Sequence, residues 1–257
     1  MAARKLSRRR FFADAGKLVA GAALGAGIVG IGSRSVIQGR AQEVPQWPWP
    51  YVELDPEAVA ARAYEVFPGR HCMYAPFEAI IGELREKVGY PYTVMPTNMM
   101  EYGKAGVVGW GTLCGALNGA SAVITLVTED YAGVVSELMG WYTETALPMY
   151  KPSDPEVEIE TTSVSGSPIC HVSVTKWCNA SGFGSKSPER KERCRRLAAD
   201  VAAKAAELLN QVTAGTFAPA WAAPASVDEC LACHGPGKSV DNVFGKMDCL
   251  QCHERHY

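Results

Sequence analysis

The last 28 residues constrain this chain more than any other stretch. Cys230 to Tyr257 reads CLACHGPGKSVDNVFGKMDCLQCHERHY. It contains Cys-x-x-Cys-His twice, as Cys230/Cys233/His234 and as Cys249/Cys252/His253, with 14 residues between the copies. This pentapeptide is the attachment motif for c-type haem. Two cysteines three apart can form thioethers to the two vinyl groups of one porphyrin, and the following histidine then ligates the iron. A zinc ribbon would use four cysteines but does not need a histidine after each pair. The expectation is two haem c groups per chain. The segment shows almost no apolar periodicity, so it is expected to be irregular, with the porphyrins as its interior.

The charge is unevenly distributed. The formal net charge is −2, but residues 1–40 carry eight Lys/Arg and one acid. Residues 41–257 therefore sum to −9, and haem propionates would add to this. An acidic body argues against nucleic acid and anionic membrane surfaces as partners. It favours redox partner proteins with a basic docking patch.

The basic end reads as an address. Ser7-Arg8-Arg9-Arg10-Phe11-Phe12 matches the twin-arginine export signal, and the weakly apolar Ala13–Gly32 follows it. Six glycines and Lys17 make that stretch a poor membrane anchor. Residues 1–41 are thus expected to be removed on export to the periplasm. Twin-arginine export carries folded cargo, whereas haem c is attached afterwards. The signal therefore points to something inserted earlier, such as an iron–sulfur cluster or an obligate partner.

The rest reads as mainly α. Residues 42–54 form a Pro- and Trp-rich extended arm. Asp55-Pro56-Glu57 starts a helix, with an N-cap, a proline at the first helical position and an acid in the first turn. A second helix carries Phe77, Ile80, Ile81, Leu84 and Val88 on one face. Ala105–Val127, the most apolar run, reads as one buried central helix. Tyr131–Ala146 forms another, and Ile159–Cys178 reads as loop with one short strand at most. Ser187-Pro188-Glu189 opens the last long helix. The helical domain spans 55–212, with a linker over 213–227 and the dihaem segment over 228–257.

Three histidines remain as distal haem ligands, in the order His171, His256, His71, with Met247 as a further candidate. Five cysteines lie outside the haem motifs: Cys72, Cys114, Cys170, Cys178 and Cys194. They admit two readings. Either they form disulfides with one left over, or four of them hold an iron–sulfur cluster.

Cys72, then Cys114-Gly115-Ala116-Leu117-Asn118-Gly119, then Cys178 and Cys194 resembles the C_GCAxxG_C_C pattern of a helical cysteine family. That domain followed by two Cys-x-x-Cys-His motifs resembles the split-Soret cytochromes c of anaerobic bacteria, over about residues 55–257. The resemblance implies a periplasmic homodimeric electron carrier, not an enzyme. It implies two stacked bis-histidine haems per subunit, with an axial histidine donated across the interface. It also implies an iron–sulfur site on Cys72, Cys114, Cys178 and Cys194, with Cys170 as the alternative third cysteine.

Overall fold

The computed structural model describes Glu43 and residues 45–256. The export signal assigned to residues 1–41 lies outside the described residues. The architecture is mainly α. Helix α1 (Pro56–Val66) begins where the Asp55 carboxylate accepts from the Glu57 N–H at 3.0 Å. Helix α2 (His71–Lys87) ends as Gly89 turns into the left-handed region at φ 82°. Two 3-10 turns, Tyr92–Val94 and Thr97–Gly103, lead to a glycine-rich loop. Helices α3 (Gly115–Val127) and α4 (Tyr131–Glu144) follow. A minimal antiparallel pair, β1 (Ala146–Leu147) with β2 (Ser163–Val164), precedes α5 (Cys170–Ser181). Helices α6 (Pro188–Thr213) and α7 (Ala225–His234) and a 3-10 turn at Cys249–Gln251 complete the chain.

Helix α6 is the axle. It starts on a capped turn, with Ser187 Oγ accepting from Arg190 N–H at 3.2 Å. It packs against α1, α2, α3 and α4. Its inner face alternates large and small residues: Leu197, Val201, Leu208 and Leu209 with Ala198, Ala202, Ala205 and Ala206, all buried. The alanines let neighbouring helices approach closely.

Glycines set the contact between α2 and α3. A Cβ on Gly119 would collide with the Met73 carbonyl oxygen, and one on Gly115 would meet Cys72 Sγ at 2.6 Å. These two positions share one face of α3, so the α2 backbone seats directly on it. The N-terminal arm is extended and strapped over the core. Trp49 N–H donates to Leu126 O at 2.9 Å, and Asn210 holds Leu54 through both its amide groups.

Three expectations need correction. The apolar run Ala105–Val127 is not one helix, because its first part is a loop. Ala105, Gly106, Val107, Val108, Gly109 and Gly111 all have positive φ. Gly106 lies so close to Thr112 that a Cβ would sit 2.5 Å from its nitrogen. Trp110, 83% exposed, points away from the core. Second, Ile159–Cys178 is loop only as far as Pro168 and Ile169. From Cys170 the chain is helical for three turns and stops at Gly182, φ 78°. Third, the haem-motif segment is not irregular throughout, since the first motif lies on α7. Among the described residues no helix is long and apolar enough to cross a membrane.

Candidate functional site

Two places in the fold gather chemistry-bearing side chains. The first is formed where four elements start or meet. Cys72 lies in the first turn of α2, Cys114 caps α3, Cys170 opens α5 and Cys194 lies in the second turn of α6. Backbone bonds hold the middle two together. Cys114 N–H donates to Pro168 O at 2.8 Å, and Cys170 N–H donates to Thr112 O at 2.7 Å.

The four thiols interact electrostatically, with Cys72 sensing the other three. Burial is the largest cause holding the protons of Cys72, Cys114 and Cys170 more tightly, and neighbouring thiols add to it. Cys72 and Cys114 move well up and Cys170 moves to about 12. Cys178 stands two turns along α5 from Cys170, roughly 12 Å by helical rise. The structure therefore brings Cys170, the alternative, to this group. Among the described residues no three His, Cys, Asp or Glu side chains converge at metal-ligating geometry.

Arg193 gives the cysteine group its electrostatic character. It is 1% exposed. Its Nη1 donates to Cys194 Sγ at 3.9 Å and its Nη2 to Ser173 Oγ at 2.7 Å. Its Nε has no partner. Tyr142 O–H donates to the same Ser173 Oγ at 2.8 Å and lies beside Cys114. Arg190 also reaches Cys194 Sγ, at 4.0 Å. Among the described residues no salt bridge forms to Arg193. The buried Asp200 carboxyl, seven residues along α6, senses the Arg193 charge, but no salt bridge closes on the guanidinium, and burying an ion costs several kcal/mol. The donor types and the buried cation are chemically suited to thiolates or another anionic group, although the thiols do not converge at metal-ligating geometry.

The second place is the haem-motif segment. A cavity of about 560 Å³ is lined by Cys230, Cys233 and His234 of the first motif and by Cys249 and His253 of the second. Val243, Phe244 and Leu250 give it apolar walls. Cys249 lies beside Cys230, and burial together with their contact raises the Cys249 thiol. Asp248 clamps the segment. Its carboxylate accepts from Leu250 N–H at 3.1 Å, Ser226 O–H at 2.7 Å and Gln251 Nε2–H at 2.9 Å. The Gln251 and Ser226 bonds lead in holding its pKa down. Asn242 Oδ1 lies 3.0 Å from His234 Nδ1. A proton on Nδ1 would be donated to Asn242, leaving Nε2 as the basic nitrogen that an iron needs. The cavity thus offers vinyl-reactive thiols, correctly oriented imidazole and apolar walls, a set that fits porphyrin.

The structure separates the three histidines expected as distal ligands. His256 lines the haem cavity, its ring edge-on to His234 at 5.6 Å. His171 and His71 do not line it. Both are exposed at the cysteine group, where His171 N–H donates to Gly111 O and the His71 ring packs against Phe67. Of these three histidines, His256 is the one that lines the cavity. Sequence reasoning missed Arg193 and Asn242. Arg193 carried a usable signal, because it lies four and eight residues before Leu197 and Val201, on the same inward stripe. Asn242 carried none.

Two thioether-forming motifs around one apolar cavity, beside a helical core that gathers cysteines, define a cytochrome c-type redox protein. The family model described as "Putative redox-active protein (C_GCAxxG_C_C)" matches residues 74–208. Split-Soret cytochrome c of Desulfovibrio desulfuricans is 37% identical over 263 residues, covering 96% of this chain and 94% of that protein. A solved structure of split-Soret cytochrome c from the same species, described as having a novel iron centre, superimposes with a TM-score of 0.75 at 38% identity. The match covers 80% of this chain and 90% of that one. The chain belongs to the split-Soret cytochrome c family.

Proposed function

We infer that this chain is an exported dihaem electron carrier with a further iron centre in its helical domain. The single observation that carries the reading is the shared cavity: both Cys-x-x-Cys-His motifs line it. Haem, when attached, supplies one-electron chemistry at iron. The chain's own residues do the rest. Cys230, Cys233, Cys249 and Cys252 anchor the two groups, and His234 and His253 present their imidazoles. Asn242 fixes the His234 tautomer, and Val243, Phe244 and Leu250 give the porphyrin an apolar surface to pack on. In the helical domain Cys72, Cys114, Cys170 and Cys194 are the ligand set for an iron–sulfur cluster, with Arg193 balancing their charge. The twin-arginine motif at Ser7–Phe12 supports export of a cytoplasmically assembled cluster to the periplasm.

Two irons need distal ligands, and His256 is the histidine beyond the motifs that lines the cavity. This supports a homodimer in which His171 or His71 of one subunit reaches a haem of the other. An optical spectrum with iron and sulfide analysis of the purified protein tests the reading. The expected result is a split Soret band, two haems, and further iron with labile sulfide. Haem iron alone would remove the cluster. The same shortage of histidines supports a second reading, an oxidoreductase with one open haem iron. Carbon monoxide binding to the native ferrous protein would favour it, and no binding would favour pure electron transfer.

A further inference from the structure

In the C-terminal segment the two haem motifs meet through their first cysteines. We propose that Cys230 and Cys249 form a disulfide across the two motifs in the chain that awaits haem, and that a dithiol must reduce it before either porphyrin can attach. The disulfide stands on the thiols themselves; its consequence for haem rests on the reading given under Proposed function.

The two motifs are held against each other. Helix α7, which carries Cys230, packs against the 3-10 turn that starts at Cys249. Glu229, the residue before Cys230, pairs with Arg255, which follows the second motif, at 2.7 Å. Ser226 in the first turn of α7 donates to Asp248 Oδ1, one residue before Cys249, at 2.7 Å. These two links hold α7 on the turn. Cys249 is in side-chain contact with Cys230, and both line the same cavity. Contact between the sulfurs is the first condition of a disulfide, whose bond is only about 2 Å long and tolerates little backbone movement. The pairs within each motif compete, because residues three apart on a helical turn are neighbours. There the second thiol is turned outward. Cys233 and Cys252 are exposed, whereas Cys230 and Cys249 are half-buried. Cys252 does not line the cavity that Cys230 and Cys249 share.

The reaction is thiol–disulfide exchange with a disulfide-bearing oxidant, the class that an oxidising compartment supplies. The thiolate of one cysteine attacks the oxidant's disulfide and releases one of its sulfurs as a thiol. The second cysteine then attacks the mixed disulfide and releases the other. In sum one S–S bond forms in the chain and one breaks in the oxidant. The protons of Cys230 and Cys249 end on the oxidant's two thiols, and two electrons pass from the chain to the oxidant. Each motif needs both of its cysteines as thiols to make its thioethers. One disulfide between Cys230 and Cys249 takes a thiol from each motif and closes both sites at once, where a disulfide within a motif closes only one. The reverse exchange with a dithiol reductant restores all the thiols. It is the class of reaction that must supply the substrate of haem attachment.

The test uses the full chain produced without haem attachment and equilibrated with oxidised and reduced glutathione. Free thiols are then alkylated, and the digest is mapped by mass spectrometry without reduction. The expected product is a peptide pair joined through Cys230 and Cys249, with Cys233 and Cys252 alkylated. Cys230→Ser should remove that pair and leave Cys249 alkylated, with far-UV circular dichroism unchanged. Haem attachment to the oxidised chain is expected to be lost at both motifs and to return with dithiothreitol. Disulfides joining Cys230 to Cys233 or Cys249 to Cys252, or alkylation of all the motif cysteines, overturn the proposal. So does equal haem uptake with and without dithiothreitol. A mapped Cys230–Cys249 pair in a chain whose reduced form takes up no haem keeps the disulfide and defeats the reading beneath it, so the two failures are distinct.

Discussion

The helical core from Pro56 to Thr213 and the segment from Ala225 to the C-terminus solve the same problem with different materials. The core is closed by its own side chains: Leu117, Ile124, Leu138, Leu197 and Val201 are at most 2% exposed. In the C-terminal segment Val227 is the buried hydrophobic residue, and Phe244 stands 95% exposed. There backbone caps and the Asp248 clamp fix the shape around a cavity rather than around an interior. The lesson is that one region is closed by its own side chains, whereas the other leaves a cavity that its own side chains do not fill.

The sharpest way to break this contrast is to remove one haem. Replacing Cys249 and Cys252 together with Ala should abolish the covalent haem proposed on the second motif, read as intact mass. Limited proteolysis should then cut the C-terminal segment while the helical far-UV signal persists. Loss of the helical signal as well would mean that the core also depends on haem.

Arg193→Met asks whether the core contains a charged site after all. If thiolates balance Arg193, the variant leaves their charge unpaired and is destabilised by about 3–5 kcal/mol. That is the expected outcome of urea unfolding followed by circular dichroism. A neutral or stabilising change would mean that the thiols are uncharged and that no anionic centre is present.

Leu117→Ala probes the apolar part of the same core and should cost about 2–5 kcal/mol, with haem content unchanged. Phe244→Ala, on the holder, should fall within roughly 0.5 kcal/mol of the parent. Equal losses at both positions would erase the distinction between the regions.

A further effect is pH-dependent. Asp200 accepts from Met149 and Tyr150 N–H groups at 2.8 Å each, but burial outweighs those bonds and raises its pKa from 3.8 to about 6. The folded state therefore holds this proton more tightly than the unfolded chain. The stability it contributes is complete below the unfolded value and is lost as pH rises through about 6, on the order of 2–3 kcal/mol in all. Stability curves across that window should fall more steeply for the parent than for Asp200→Asn. Equal slopes would place the titration elsewhere.

Much of this was legible in the sequence because it depends on local chemistry. The haem motifs need only fixed spacing. Helices α1, α2, α4 and α6 follow from caps and apolar stripes, as Asp55 and Ser187 illustrate. The failures have physical causes. Ala105–Leu113 is apolar enough for a helix, but its glycines release the backbone into left-handed turns that present Leu113 and Cys114 to α5. Cys170 was hidden because the Ser-Gly-Ser-Pro run before it reads as loop, and the helix starts immediately afterwards. The distal ligands could not be ordered, since nothing in one dimension says that His171 does not line the haem cavity.

By itself the sequence determined where c-type haem could attach. Thioether spacing is a covalent requirement, satisfied within five consecutive residues. Only the tertiary structure decided which thiols meet, which histidine faces the cavity and which of the arginines in α6 is buried among sulfurs. Those outcomes depend on helices packing over Gly115, Gly119 and the α6 alanines, contacts between residues far apart in the chain.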